Sequence, residues 1–198
     1  LVNRDQDFTW TQTSLSGGFG LSAKCLLYKN FSNFNSGVKD DIITINYDFS
    51  ALTTGELSFD IAHARLLPTL SDSLVVYASE DCGQTFTKIY NKGGSALKTV
   101  NGYLNYNYVP TATEWRKEVI NINQYAGKPQ VMFVFVGASA GGNNLYLDNI
   151  NISEITGAGI NQITAAGNVT LQPNPVADIL TIQYDKNVLG ENITVSIY

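Results

Sequence analysis

The sequence contains a single histidine, His63, among 198 residues, and this scarcity excludes most familiar hydrolytic sites. A zinc peptidase needs an H-E-x-x-H helix or its equivalent, whereas the residues around His63 predict a strand. Ser-His-Asp and Cys-His catalysis would both depend on the same histidine, and no nucleophile elbow or cysteine-peptidase signature accompanies it. We therefore predict no zinc site and no catalytic residue in this chain.

Positive charge is also scarce, since 12 Lys and Arg residues face 17 Asp and Glu residues. No basic patch is visible, so neither a nucleic acid nor an anionic membrane is an expected partner. No glycine loop precedes a helix, which argues against nucleotide binding. No apolar run approaches the ~20 residues that span a bilayer, so we expect no membrane span. The chain begins at Leu1 without a signal peptide, and we expect a mature or excised fragment.

Only two cysteines are present, Cys25 and Cys82. In a secreted protein they could form one disulfide, provided that their Cα atoms come within about 7 Å of each other. Cysteines are also often small buried thiols. The sequence leaves a disulfide between Cys25 and Cys82 and two free thiols as open alternatives.

What the sequence does contain is a series of short strand patterns. Leu57, Phe59 and Ile61 alternate with small or polar residues, which predicts a strand with one buried face. Residues 74–78 are almost wholly apolar, and residues 131–136 are apolar throughout. Both runs predict strands buried on both faces, and the second is expected at the centre of its sheet.

A long strand is predicted to open at Asp40 and Asp41. Four large side chains at alternate positions are expected to share one face of it: Ile43, Ile45, Tyr47 and Phe49. This alternation is typical of a strand that packs one face against a core.

The last strand of this part of the chain, residues 145–152, has an irregular pattern. Leu145 and Leu147 follow one phase of the alternation, whereas Ile150 and Ile152 follow the other. Because the side-chain period of a strand is two, one extra residue exchanges its two faces. The pattern therefore predicts a β-bulge near Asp148 and Asn149.

Composition divides the chain into two modules, both all-β. Residues 1–153 contain enough strands for one β-sandwich with its own core. Residues 154–167 are poor in large apolar side chains and rich in Gly, Ala and Thr, which is typical of a linker. Residues 168–198 provide only three short strands, too few to close a sandwich, so we expect this second module to be truncated.

An irregular segment, residues 93–109, is rich in Tyr and Asn and leads toward Trp115. Its aromatic side chains offer flat apolar faces that can stack on sugar rings. The candidates are Tyr103, Tyr106, Tyr108 and Trp115. Such segments more often pack down onto the body of the protein, and the sequence leaves both outcomes open.

The tail NVTLQPNPVADILTIQYDKN resembles the start of the C-terminal sorting domain of the type IX (Por) secretion system of Bacteroidetes. That domain opens approximately as L-Y-P-N-P-hydrophobic-x-D-x-L-x-I. The matching positions are Leu171, Pro173, Asn174, Pro175, Val176, Asp178, Leu180 and Ile182, whereas Gln172 replaces the common Tyr or Phe. The resemblance implies the first strands of an Ig-like β-sandwich, with Pro173, Asn174, Pro175 and Asp178 as the sorting motif. It also implies the type IX machinery as a partner and export across the outer membrane, with the protein secreted or attached to the cell surface.

Residues 5–153 resemble the jelly-roll modules of the same surface proteins, which are related to cleaved-adhesin and MAM-like domains. The matching stretches are Phe8-Thr9-Trp10, AHARLLPTLSDSLVVYASEDCGQTFTKIYNKGGSALKT and GNNLYLDNINI. The resemblance implies a non-catalytic jelly-roll β-sandwich. Such modules commonly bind Ca²⁺ near the closing strand, which makes Asp148 the first ligand candidate, followed by Asp40 and Asp41. Carboxylate and amide oxygens suit this ion.

The leading hypothesis is a non-catalytic extracellular module that serves adhesion, substrate targeting or folding support and is carried with a type IX sorting signal. A second hypothesis makes the chain the accessory C-terminal region of a secreted zinc metallopeptidase, whose chemistry would lie upstream. A third is a carbohydrate-binding module. The expected ligand is accordingly a glycan or a protein, and Ca²⁺ is the one cofactor considered.

Overall fold

The regular structure of the chain consists of strands and short 3-10 turns. The computed structural model describes residues 2–3, 9–32, 36–154, 170–172 and 181–183. Within these ranges every regular element is a strand or a three-residue turn, which confirms the all-β prediction. No helix in the described ranges is long and apolar enough to cross a membrane. The chain divides into two units, Leu1–Ile155 and Thr156–Tyr198.

Ten strands of the first unit form two antiparallel sheets that face each other as a sandwich. They are β1 Val2–Asn3, β2 Trp10–Thr13, β3 Cys25–Tyr28, β4 Lys39–Ile43, β5 Gly55–His63, β6 Ser73–Ser79, β7 Thr87–Gly93, β8 Arg116–Asn121, β9 Met132–Ala138 and β10 Leu145–Glu154. Sheet I has the order β1-β4-β9-β6-β7, and sheet II has the order β2-β3-β10-β5-β8. The 3-10 turns are Gly18–Gly20, Asn30–Ser32, Gly94–Ala96, Ala112–Glu114 and Asn123–Tyr125. The apolar run at residues 131–136 thus lies in the central strand of sheet I, as predicted.

The main core lies between the two sheets and is filled by alternate side chains of both. Phe59 of β5 meets Phe135 of β9 edge to face, with ring centroids 5.2 Å apart. Trp10 stacks on Tyr28 at 5.2 Å, and its indole N–H donates to the carbonyl oxygen of Asp40 at 3.2 Å. Each buried Phe contributes roughly 1.5–3 kcal/mol through the hydrophobic effect. These contacts hold the two sheets face to face.

The predicted bulge in β10 is confirmed. The pairing of β10 with β5 shifts register between Asp148 and Asn151. Asn149 has a φ of 48°, in the left-handed region that Asn tolerates better than most residues. Because the bulge exchanges the two faces, Leu147 before it and Ile150 after it both pack against the main core.

The long strand predicted from residue 40 onward is wrong in length and in phase. β4 ends at Ile43, and Ile43 and Ile45 are 39% and 73% exposed. The ladder is interrupted at Thr44, whose hydroxyl oxygen accepts a hydrogen bond from the backbone N–H of Phe133 at 2.9 Å. The Thr44 hydroxyl thus accepts the hydrogen bond that the backbone carbonyl of Thr44 would accept in a continuing strand.

Sheet II also has a covered outer face, which the sequence pattern did not predict. The residues between the core positions of β5 are themselves buried, with Ser58, Asp60 and Ala62 at 3%, 5% and 0% exposure. Around Ala62 a second hydrophobic cluster forms, which contains Cys25, Leu27, Ala62, Ala64, Tyr108, Trp115 and Tyr146. Part of the segment between β7 and β8 supplies its outer layer.

The second unit contains two described strands, β11 Thr170–Gln172 and β12 Thr181–Gln183. They pair antiparallel, with Leu171 opposite Ile182. The sorting motif residues Pro173, Asn174, Pro175 and Asp178 lie outside the described residues, as does most of the linker at 154–167. The domain limits and the sorting motif therefore stay predictions.

Candidate functional site

Two of the four stacking candidates are buried in the second cluster. Tyr108 and Trp115 are 2% and 5% exposed, and both rings meet the ring of Tyr146 edge to face, at 6.0 and 6.4 Å. The Tyr146 hydroxyl donates to the carbonyl oxygen of Tyr108 at 2.7 Å, and burial raises the Tyr146 pKa to about 12. The prediction that Tyr108 and Trp115 stack on a ligand is wrong, because protein atoms already cover their rings.

The other two candidates, Tyr103 and Tyr106, are at the surface. They are 51% and 58% exposed and are called the exposed tyrosines below. The guanidinium carbon of Arg65 lies 5.4 Å from the centre of the Tyr103 ring, within the range of a cation–π contact. Arg65 is fixed in turn by hydrogen bonds to the Ser95 hydroxyl at 2.9 Å and to the Pro68 carbonyl at 2.6 Å. One exposed tyrosine is therefore held in place by a buried cation.

Asn143, in the loop before β10, anchors the segment that carries the exposed tyrosines. Its side-chain nitrogen donates to the carbonyl oxygens of Leu104 and Tyr106, each at 2.9 Å. Its side-chain oxygen accepts from the backbone N–H groups of Tyr108 and Asn144, at 3.2 and 2.8 Å. Asn143 is fully buried, so these four bonds replace every contact that water would have made. No local sequence pattern singles out Asn143 for this role.

Asp72, directly before β6, binds the same loop. Its carboxylate accepts hydrogen bonds from the backbone N–H groups of Ala140, Gly142 and Asn143 at 2.8–3.1 Å. Position 142 must be glycine for this approach, because a Cβ atom there would lie 1.9 Å from a carboxylate oxygen of Asp72. The loop and Asp72 form one polar cluster beneath the surface.

His63 belongs to this buried cluster and has no catalytic geometry. Its Nδ1 lies 3.0 Å from the carbonyl oxygen of Asn144 and so carries the proton. Its Nε2 lies 3.8 Å from a carboxylate oxygen of Asp72. Burial lowers the pKa of His63, and the charge of Asp72 opposes that shift only in part. The side chain is 0% exposed, so His63 is a structural residue that no substrate reaches.

The outer face of sheet I carries a groove that no sequence signal had identified. It is lined by Lys39, Asp41, Tyr77, Phe86, Val134 and Val136 and has a volume of about 270 Å³. Because Phe133 and Phe135 point into the core, Val134 and Val136 of the same strand point outward. The apolar run at 131–136 predicted a strand buried on both faces; on the outer face Val134 is buried, at 4% exposure, whereas Val136 is partly exposed.

Phe86 stands at the end of a rigid turn between β6 and β7. The Asp81 carboxylate accepts hydrogen bonds from the Ser79 hydroxyl at 2.7 Å, the Thr85 N–H at 2.9 Å and the Thr85 hydroxyl at 2.6 Å. These bonds lower the pKa of Asp81 to about 2. Cys82 and Gly83 adopt φ values of 57° and 87°, which close the turn. Phe86 therefore leaves the turn in a fixed position, 49% exposed.

The calcium candidates lie in different sheets. Asp148 is in β10 of sheet II, whereas Asp40 and Asp41 are in β4 of sheet I. The carboxyl group near Asp148 is instead that of Asp60, which accepts a hydrogen bond from the Asn149 amide at 2.7 Å.

Asp148 and Asp60 are poorly suited to bind a cation together. Asp148 accepts hydrogen bonds from the Gly18 N–H at 2.7 Å and from the Ser22 hydroxyl, so donors already occupy its side-chain oxygen. Among the described residues no group of three or more His, Cys, Asp or Glu side chains could hold a metal ion. A Ca²⁺ site made by Asp148, Asp40 and Asp41 together is not formed, and calcium binding at Asp148 alone stays a prediction.

Both cysteines are free thiols. Cys25 lies in β3 of sheet II and is buried, whereas Cys82 lies in the turn between the sheet I strands β6 and β7 and is exposed. Of the two alternatives that the sequence left open, the structure has the free thiols. Burial, with a smaller contribution from the charge of Asp148, raises the Cys25 pKa to about 11. The Cys82 thiol donates to the Gln130 side-chain oxygen at 2.6 Å.

Comparison with known proteins gives structural neighbours but no family. No protein-family model matches the chain. No curated protein matches it either.

Among solved structures, the chain is similar to the K1 cleaved adhesin domain of Lys-gingipain from Porphyromonas gingivalis W83. The identity is 19% over 77% of this chain and 88% of that chain, with a TM-score of 0.52. The K3 cleaved adhesin domain of the same protein gives 19% identity, the same coverage and a TM-score of 0.49. A family 30 carbohydrate-binding module of a Clostridium thermocellum cellulosomal cellulase gives 15% identity over 75% of this chain and 84% of that chain, with a TM-score of 0.44. The similarity to the K1 domain establishes the β-sandwich fold that the two share.

Proposed function

We propose that residues 1–155 form a non-catalytic extracellular module that binds glycans, and that the exposed tyrosines Tyr103 and Tyr106 are part of its binding surface. The observation that carries this proposal is their exposure on a segment that is otherwise firmly anchored. Rigid aromatic side chains give large contact areas at a small cost in conformational entropy. A sugar ring can place its apolar face on a tyrosine ring while its hydroxyl groups remain hydrated.

The anchoring of this segment supports a role of its exposed tyrosines in ligand recognition. Leu104 and Tyr106 are bound through their carbonyl groups by buried Asn143, and Tyr103 faces Arg65. The backbone on both sides of the exposed rings is thus fixed before a ligand arrives. Such preorganisation favours binding, because less freedom is lost on association.

The test is a glycan array followed by calorimetric titration of the full chain. Replacing Tyr103 and Tyr106 together by Ala should weaken binding of the selected glycan by at least tenfold. Val119→Ala is the matched control, because Val119 is also more than half exposed but lies on β8. Binding that survives in the Tyr103→Ala and Tyr106→Ala double variant would contradict this location.

The second part of the proposal concerns the tail, residues 168–198, as a type IX sorting signal that brings the module to the cell surface. The match of Pro173, Asn174 and Asp178 to the sorting pattern supports it. Deleting the chain from Val169 onward should trap the protein in the periplasm of a type IX secreting host. Replacing Pro173, Asn174 and Asp178 by Ala should do the same, whereas Gln172→Ala should not, since Gln172 already departs from the pattern. Normal secretion of the deletion variant would refute the sorting role.

A further inference from the structure

We propose that Asn101 is a site of spontaneous covalent modification, at which the side-chain amide is lost and an aspartyl or isoaspartyl residue is formed. Asn101 is followed by Gly102, and this is the one Asn-Gly pair in the sequence. The reaction requires only water, so it does not depend on the proposed binding of glycans. It concerns the same segment, however, because the next residue is the exposed Tyr103.

The pair lies in a surface loop with two fixed ends, called the Asn-Gly loop, residues 101–103. Before the loop, the Thr99 N–H donates to the His63 carbonyl oxygen at 2.8 Å. After it, the Leu104 N–H donates to the Arg65 carbonyl oxygen at 2.8 Å. All three residues of the loop are exposed. Water therefore reaches the pair, although the chain on both sides is bound to the end of β5.

The backbone nitrogen of Gly102 is available to attack the side chain of the residue before it. Within the part of the chain that the structure describes, the Gly102 N–H donates no hydrogen bond, and the Asn101 side chain has no hydrogen-bond partner. Gly102 has a φ of 76°, and a Cβ atom placed on it would meet no heavy atom within 4 Å. The approach to this nitrogen is open, since glycine has no side chain of its own to shield it.

The reaction balances without a cofactor or an oxidant. The Gly102 nitrogen loses its proton and bonds to Cγ of Asn101, which closes a five-membered succinimide ring. The bond from Cγ to the side-chain nitrogen breaks, and that nitrogen leaves as ammonia together with the proton that Gly102 lost. Water then opens one of the two bonds between a carbonyl carbon and the ring nitrogen. Opening at Cγ leaves an aspartyl residue, whereas opening at the backbone carbonyl carbon leaves an isoaspartyl residue, whose main chain is one carbon longer.

Two other asparagines show what protects a side chain from this reaction. Asn46 is exposed, but the N–H of the next residue, Tyr47, donates to the Val131 carbonyl oxygen at 2.8 Å. Asn143 is buried, and its side-chain amide makes four hydrogen bonds. Attack at either position would first break hydrogen bonds of the folded protein. The Asn-Gly loop lacks this protection.

The product changes the surroundings of Tyr103. A carboxylate replaces a neutral amide and adds one negative charge to a chain whose formal net charge is -5. Two residues along the chain, the Tyr103 ring lies 5.4 Å from the guanidinium carbon of Arg65. An isoaspartyl residue also lengthens the main chain between two fixed ends, so the Asn-Gly loop has to rearrange. Both changes should move Tyr103 relative to Arg65.

The test is incubation of the full chain at pH 8.5 and 37 °C, followed by peptide mapping with mass spectrometry. Asn101 should lose ammonia at least tenfold faster than Asn46, the exposed asparagine in the same sample. The rate should rise with pH, because the attacking nitrogen has to lose its proton. Gly102→Ala should slow the reaction at least tenfold, since a side chain then shields the nitrogen. Asn101→Gln is the matched control and should stay unmodified, because its longer side chain would have to close a six-membered ring.

NMR of fresh and aged protein tests the structural effect. The amide resonances of residues 99–104 should shift on ageing, while those of β9 stay in place. An Asn101 side chain that stays intact in the folded protein but reacts in the urea-unfolded chain would overturn the proposal. Equal rates at Asn101 and Asn46, or an unchanged rate in Gly102→Ala, would overturn it as well. Unmoved Tyr103 resonances in fully modified protein would overturn the effect on Tyr103. Glycan titrations of the unmodified chain test the proposed function separately, so the two can fail independently.

Discussion

The outer faces of the two sheets both carry aromatic side chains, but the face of sheet II is covered and the face of sheet I is open. On sheet II, Tyr108 and Trp115 come down onto Tyr146 and form a second core. On sheet I, Tyr77 and Phe86 line an open groove. Aromatic side chains thus form a buried cluster on the covered face and line a groove on the open face.

The length of the connection explains the difference. The segment between β7 and β8 is long enough to cross sheet II and return, and buried Asn143 binds its backbone. The connection between β6 and β7 is a tight turn that closes on Asp81 and cannot cover the sheet beside it. In the long connection Tyr108 and Trp115 become core while Tyr103 and Tyr106 stay exposed. Phe86, at the end of the short turn, is half exposed.

The strongest test of the covered face is Trp115→Ala. Removing a buried indole from the second cluster should lower the free energy of unfolding by about 3–5 kcal/mol. Denaturation by urea, followed by circular dichroism, measures the change. Tyr77→Ala on the open face should cost far less. Equal losses in the two variants would contradict the distinction between a covered and an open face.

Asn143→Ala should release the segment between β7 and β8 from the outer face of sheet II without removing any aromatic side chain. Leaving the carbonyl oxygens of Leu104 and Tyr106 without a donor should cost roughly 1–3 kcal/mol. Hydrogen exchange should accelerate at residues 104–108 while the amides of β9 remain protected. Uniform acceleration in both regions would show that the segment is not a separately anchored layer.

Acid should weaken the structure through His63. The unfolded chain takes up a proton near pH 6.5, whereas burial lowers the pKa of His63 in the folded protein and makes it resist protonation. The free energy of unfolding should therefore fall as the pH drops below 6.5, by at most about 1.4 kcal/mol per pH unit. Urea denaturation at pH 7.5 and pH 5.5 measures this slope. His63→Gln should flatten it, and an unchanged slope in that variant would assign the effect to other groups.

The smallest expected effect concerns the thiols and leaves stability unchanged. In the native protein, Ellman's reagent should label exposed Cys82 quickly, and buried Cys25, with its pKa raised to about 11, only after unfolding. The control is Cys82→Ser, which should remove the fast reaction. A native protein with no reactive thiol until a reductant is added would indicate a disulfide.

The sequence predicted what depends on local alternation. The all-β class and the bulge at Asp148 and Asn149 followed from alternation with a period of two and one break in it, and the central position of residues 131–136 followed from an unbroken apolar run. The end of β4 was missed, because the cause is a side-chain hydrogen bond of Thr44 to Phe133, a residue far along the chain. Alternation cannot report such a contact.

The candidate site was less predictable than the fold. Composition drew attention to the tyrosines, but whether each is buried depends on the path of a long segment and on the partners of Asn143. The groove arises where three strands from distant parts of the sequence lie side by side. Neither fact is contained in a local pattern, so the sequence identified the residue types and the structure separated Tyr103 and Tyr106 from Tyr108 and Trp115.

The position of β10 has a mechanical consequence. β10 is the last strand of the first unit, and it pairs with β5 on one side and β3 on the other. Tension applied to the chain from residue 155 onward would load this central strand along its length. The ladder with β5 extends from Leu145 to Glu154 and would have to shear along its length, whereas the ladder with β3 is confined to residues 145–147, at the far end of the strand from the applied tension. A module held by such a strand is suited to resist being pulled from its C-terminal side.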